Sequence, residues 1–253
     1  MAFTISHAVL APLLHKLSAQ RLPVAALAIG CMAPDLHRLF TQQNYLQAHQ
    51  WSGIFTFSLW VGLAFCVLWY LLYRPMIYSC LGLKHELALK NFKQLLIFSF
   101  YLIIAVLLGI VTHLIWDGLT HVDFRTFAFH DFLSQSVTLL NATYPMHRVL
   151  QIGTSLLALP FIGWMSWHYY RSHHCQSSSK YKLGAGLFIV MVSLGVGLFS
   201  MLDYARYIPD HIWQQDLYYF TGRSINEFSQ GFLSCFSLAA VLFLFLNHGK
   251  HLD

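Results

Sequence analysis

His113, Asp117 and His121 recur at four-residue intervals in Thr112-His113-Leu114-Ile115-Trp116-Asp117-Gly118-Leu119-Thr120-His121. On a helix of 3.6 residues per turn each such step advances about 40°, so the three project from one face. Two imidazoles and a carboxylate form a donor set that borderline divalent metals, zinc above all, favour. The simplest alternative is that His113 and Asp117 pair with each other where a helix leaves the bilayer. Three ligand-type residues at the end of an otherwise uncharged helix favour a metal, because an ionisable group at membrane depth costs roughly 2.5–3.5 kcal/mol on insertion scales.

Three more N/O donors precede this helix. His7 sits in Thr4-Ile5-Ser6-His7, Asp35 follows Ala33-Pro34, and His49 lies just before a long apolar run. Singly, Asp35 suits a turn or helix cap, and each histidine suits a membrane interface. Jointly, the three fall on the same expected side as the 113–121 motif, which points to a shared site.

The elements that must position them are membrane helices. The 253-residue chain is 57% hydrophobic and only 10% Asp, Glu, Lys or Arg, against about 25% for soluble domains. That excludes disorder, a nucleic-acid arm and most cytosolic enzymes. Segments 51–73, 95–112 (with helical pattern continuing to 119), 149–167, 183–202 and 228–247 each approach the ~20 apolar residues that cross ~30 Å of hydrocarbon. Pro160 is a tolerable kink within the third. Gly184, Gly186, Gly195 and Gly197 offer close helix contacts in the fourth. Residues 3–17 suit an interfacial or re-entrant helix, and 22–34 is too short to span. The expectation is an all-α polytopic membrane protein, one integral domain over 1–253, with N-terminal helices in 1–50 and a five-span bundle over 51–247. No Lys or Arg precedes residue 16 and no small-residue cleavage site follows a clean apolar run, so no signal peptide is expected. The five cysteines form no CxxC and read as small core or lipid-facing residues.

Basic residues set the orientation. Loops 74–94 and 171–182 with the tail carry eight Lys and Arg, against seven spread over residues 1–50, 119–148 and 203–227. The denser side is the cytoplasmic one, giving N-out, C-in, with the donor cluster facing outward.

The order His7, Asp35, His49, then His113-x3-Asp117-x3-His121 resembles the ligand series of zinc-dependent phospholipase C, related nucleases and bacterial membrane-bound metal-dependent hydrolases. The 3–7, 27–35 and 113–121 segments, with 148–155, are similar to an uncharacterised family of bacterial inner-membrane proteins. That resemblance implies an inner-membrane location and one metal held by Asp35, His49, His113 and Asp117. It implies a second between His7, Asp117 and His121, with Asp117 bridging. The later His-x3-Glu of the phospholipases has no counterpart here, which limits the expectation to one or two metals.

A bound zinc would lower the pKa of a water to around 7. Asp35 and Asp117 are the candidate catalytic residues, Asp35 as ligand or general base. Arg38, His37 and Arg125 lie near the motifs and could clamp an anionic head group or be ordinary interfacial side chains. Phe40, Tyr45, Trp51, Phe124, Phe127 and Phe129 surround the level of lipid head groups. The expected activity is hydrolysis of a phosphoester in a lipid or amphiphile. His130 with Asp131 and His147 with Arg148 could add a lid or outer shell. His168, His173 and His174 lie at the cytoplasmic end of the third span, as interfacial anchors. The alternatives are a proton- or cation-coupled transporter, a haem protein with paired axial histidines, and a non-catalytic membrane protein with a structural metal.

Overall fold

The computed structural model describes residues 4–41, 45–87, 89–139, 141–175 and 179–248. Phe3 of the N-terminal motif, and Lys250, His251 and Asp253 of the tail, lie outside them. A 3-10 turn over Thr4–Leu10 runs into α1 (Ala11–Leu17), which carries Pro12 in its first turn, where no hydrogen bond is lost. The chain reverses through Ala19 and Gln20, both left-handed at φ 52° and 62°. The reversal is closed by His15 Nδ1 donating to the Leu22 carbonyl at 2.7 Å and by the Leu22 amide donating to Ser18 Oγ at 3.3 Å. It leads into α2 (Val24–Leu36). Pro34, expected near the end of this segment, sits inside α2, and the helix carries on to Leu36. Asp35 therefore belongs to its last turn and does not open a loop. A proline so near a helix end removes only one internal bond.

After α3 (Tyr45–Ala48) the first span runs as one helix over Ile54–Leu81. It contains α4 (Leu59–Leu68) and α5 (Arg74–Leu81), joined through π turns at Ile54–Ser58 and Trp69–Tyr73. Composition placed the loop at Arg74. The helix continues because Pro75 falls in the first turn of α5 and the Arg74 guanidinium lies 4.4 Å over the Tyr78 ring. Left-handed Gly82 then ends it.

The remaining helices are α6 (Phe92–Thr120), α7 (His130–Ser134), α8 (Met146–His173), α9 (Lys180–Arg206), α10 (Asp210–Gln215) and α11 (Leu217–His248). A two-stranded antiparallel hairpin, β1 (Ser136–Leu139) and β2 (Ala142–Pro145), interrupts them. Asn91 caps α6, its side chain accepting the Gln94 amide at 2.9 Å. Among the described residues five helices are long and apolar enough to cross a membrane: Ile54–Leu81, Phe92–Thr120, Met146–His173, Lys180–Arg206 and Tyr219–Asn247. Each expected span is present and most extend at both ends. Exposed Trp164, Leu187, Phe188 and Phe199 are placed sensibly only in hydrocarbon.

The chain divides into two compact units, residues 1–66 with 87–168 and residues 67–86 with 169–253. In the first, α2 packs backbone to backbone on α6. A Cβ on Gly30 would lie 2.4 Å from the Val106 carbonyl oxygen, and one on Gly109 would lie 2.5 Å from that of Leu27. The stretch from Thr4 to Leu17 and α2 form an antiparallel hairpin, Thr4 meeting Asp35 at one end and His15 meeting Leu22 at the other. α2 runs alongside α6 in the same direction, so the hairpin tip is carried toward the N-terminal end of α6. Lys16 and Arg21, expected on the side of the His113–His121 motif, belong at the opposite end of α6. In the second unit α9 packs on α11 and α5 around Tyr73, Met76, Cys80, Ile189, Phe236 and Ala240. Gly186 and Gly197 make the expected close contacts, with Cys80 and Phe228, whereas Gly184 and Gly195 face open space.

Candidate metal centre

All six candidate ligands meet at the C-terminal end of α6. His7 comes from the first 3-10 turn, Asp35 from the last turn of α2, and His49 from just beyond α3. His113 and Asp117 come from α6. Asp117 is the hub. Its Oδ2 lies 3.6 Å from His113 Nε2 and 3.8 Å from His49 Nε2. Its Oδ1 lies 4.0 Å from His7 Nε2 and 3.5 Å from His121 Nδ1. His49 Nε2 is also 3.3 Å from Asp35 Oδ1. The His7 and His113 rings stack with centroids 4.1 Å apart, and His49 meets His113 edge-on at 5.4 Å. His113 is 1% exposed and Asp117 3%, so water does not screen these groups.

Neighbouring groups fix the orientation of the ligands. The His113 Nδ1–H donates to the Cys31 carbonyl at 2.7 Å. With that bond made, a neutral ring presents the lone pair of Nε2, which is buried 3.6 Å from Asp117 Oδ2. A lone pair facing a carboxylate there repels unless a cation, a metal ion or a proton, lies between them. Asp35 is held from the other side by Thr4 Oγ1, which donates to its Oδ2 at 2.9 Å. Gln151 donates to the Thr120 carbonyl at 2.7 Å and Ser6 to Ser155 at 3.2 Å, tying α8 to the site.

The donor chemistry fits a tetrahedral cation. Ligands at about 2.0–2.1 Å from a zinc stand roughly 3.3–3.5 Å from one another, close to the 3.6 and 3.8 Å that separate Asp117 Oδ2 from His113 and His49 and the 3.3 Å between His49 and Asp35. Two triads have all ligand atoms within 4.8 Å: His7, Asp35 and His113, and His49, His113 and Asp117. Burial, then the neighbouring His113, pushes the His7 pKa down to about 3, and burial brings His121 to about 4. Burial alone would raise the Asp35 carboxyl, but the His49 hydrogen bond and the surrounding imidazoles hold it well below the usual range. All three thus sit at neutral pH in the deprotonated forms that bind metal.

His121 departs from the helical expectation. It is the C-cap of α6, with extended backbone at φ −117° and ψ 157°, and its Nδ1 lies 3.2 Å from the Asp117 carbonyl. It belongs to neither triad. Arg125 reaches in from the following loop, Nη1 donating to Asp117 Oδ2 at 2.9 Å, while Asp123 holds its Nε at 2.9 Å. The loop approaches this closely because residue 118 lacks a side chain: a Cβ there would lie 2.1 Å from the Phe127 ring. Arg38 is half-buried in the turn His37–Leu39 after α2. Phe40, Trp51, Phe124, Phe127 and Phe129 are exposed.

The other histidines serve the loops. His130 is exposed beside Asp131 at 3.7 Å, and His147 Nδ1 donates to the Leu133 carbonyl at 3.3 Å. His174 Nδ1 donates to the Leu81 carbonyl, and His173 stacks on Tyr169 and His85. The sequence reading missed the supports: Thr4, Gln151, Ser155, Asp123 and the Cys31 carbonyl. A signal existed for two of them, since Gln151 and Ser155 are polar at i, i+4 in an apolar helix.

A family model described as Domain of unknown function (DUF4184) matches residues 1–246. No curated protein and no solved structure matches the chain.

Proposed function

For a chain that belongs to the family described as Domain of unknown function (DUF4184), we propose a membrane-embedded, metal-dependent hydrolase acting on a phosphoester of a lipid or amphiphile. The observation that carries this reading is the buried His113 Nε2 facing Asp117 Oδ2 at 3.6 Å, with His7, Asp35 and His49 arranged around the same space. Asp35, His49, His113 and Asp117 would hold one ion, and Oδ1 of Asp117 faces His7 and His121 for a second. Zinc is the expected metal, and when bound it supplies hydroxide at neutral pH.

The residues of the chain supply the rest. Asp35, held by Thr4 and His49, is placed to orient a nucleophilic water and take its proton. Arg125, fixed by Asp123, brings a guanidinium to the edge of the centre, where its charge would attract a phosphate. Arg38 would reinforce it from the α2 side. The exposed phenylalanines beside Arg125 favour a substrate presented by a lipid surface over a free solute. The proposed setting is the bacterial inner membrane with the amino terminus and the metal centre outward and the carboxyl terminus inward.

The burial of four of the six ligands favours a second reading, a closed structural metal site. Metal analysis of the purified full chain tests the shared premise: one or two equivalents of zinc in the parent, lost in His113→Ala and in Asp117→Ala. A metal-free parent protein would end both readings. Release of phosphate or head group from phospholipid by the metal-loaded parent protein supports the enzyme, and metal bound without such release supports the scaffold.

A further inference from the structure

The hairpin that delivers His7 and Asp35 has a tip, and the tip lines a second site. Arg21 borders a groove of about 230 Å³ together with Leu89, Gln94, Ile97, Phe98 and Tyr101. From Tyr101 to Asp117 the helix rises about 24 Å, and from Gln94 about 35 Å. The bilayer core is ~30 Å thick, so this groove lies at the interface opposite the metal centre.

Its chemistry is two-sided. The walls are leucine, isoleucine and phenylalanine, while a guanidinium, an amide and a phenol supply polar contacts, with no carboxylate among the lining residues. Lys90 and Lys93 both precede Gln94 in sequence, and Lys16 precedes the tip. A free anion would leave the apolar walls unused, and an uncharged lipid would leave Arg21 unpaired.

We propose that this groove binds one anionic phospholipid of the leaflet opposite the metal centre, its phosphate on Arg21 and its acyl chains along Ile97 and Phe98. The lipid would fix the hairpin tip, whose reversal passes through the two left-handed residues Ala19 and Gln20. This site is independent of the metal.

The test is lipid binding to the detergent-purified full chain, titrated with phosphatidylglycerol or phosphatidylcholine and read by native mass spectrometry. One well-placed cation at a membrane surface is worth about fivefold in affinity for anionic lipid. That preference is expected in the parent protein, in Lys93→Gln and in part in Arg21→Lys, and near parity is expected in Arg21→Gln. Equal binding of the two lipids by the parent would overturn the proposal. So would an equal loss in Lys93→Gln, which would mean diffuse charge attraction, or displacement of the lipid by glycerol phosphate at matched concentration, which would mean a soluble anion site.

Discussion

His113 combines two hydrogen-bonding roles that are separated in most buried histidines. One nitrogen is committed to the Cys31 carbonyl and the other faces the Asp117 carboxylate. In a neutral ring the first bond sets the tautomer, and that tautomer would make the second nitrogen available as a ligand. Thr4 plays the equivalent part for Asp35. Removing its hydroxyl in Thr4→Val is expected to weaken metal binding roughly tenfold, the lower end of what outer-shell losses cost. A competition titration against a chelator measures this, with unfolding stability falling by only about 1 kcal/mol.

At the scale of elements, the centre depends on how closely α2 approaches α6. Gly30 and Gly109 let the two backbones touch, and that contact sets the height of Asp35 relative to Asp117. Gly109→Ala would meet three backbone atoms of α2 within 2.7 Å. The expected result is a loss of about 1–3 kcal/mol together with loss of bound metal, read by thermal unfolding and metal analysis. Gly153→Ala, which meets nothing within 4 Å, is expected to leave both unchanged. Gly118→Ala would push the Phe127 ring away and carry Arg125 off Asp117. Its metal content should stay near the parent value while KM for an anionic substrate rises more than kcat falls.

At the scale of the whole molecule, the hairpin changes the charge count that sets orientation. Within the first unit, Lys16 and Arg21 join Lys90 and Lys93 at the N-terminal end of α6, whereas Arg38 and Arg125 lie at its C-terminal end. The denser side is cytoplasmic by the positive-inside tendency. A membrane-impermeant thiol reagent is expected to reach Gln20→Cys from the cytoplasmic side, the same side as Lys93→Cys, in a background free of native cysteine. Labelling of Gln20→Cys from outside would contradict the hairpin placement, whereas labelling of both from outside would invert the topology and leave the hairpin intact.

Local pattern was enough to determine the helical class and the five helices long and apolar enough to cross a membrane, and to single out the candidate donors. Hydrophobic length is a property of contiguous residues, and an ionisable side chain in an apolar run stands out wherever it lies. Those signals failed where energetics were not local. The helix continued through Arg74 and Pro75 because a π turn and an aromatic ring accommodated them, and His121 left the helical face because it caps α6. Only the tertiary structure decided that His7 and His49 reach Asp117, that Asp35 reaches His49, and that Arg125 reaches Asp117 too. It also decided that the two-residue reversal at 19–20 lies at the far end of α6. Those facts rest on Gly30 against Val106 and Gly118 under Phe127, contacts between segments tens of residues or one loop apart. Steric fit of this kind is a property of surfaces brought together by folding, and no residue carries it alone.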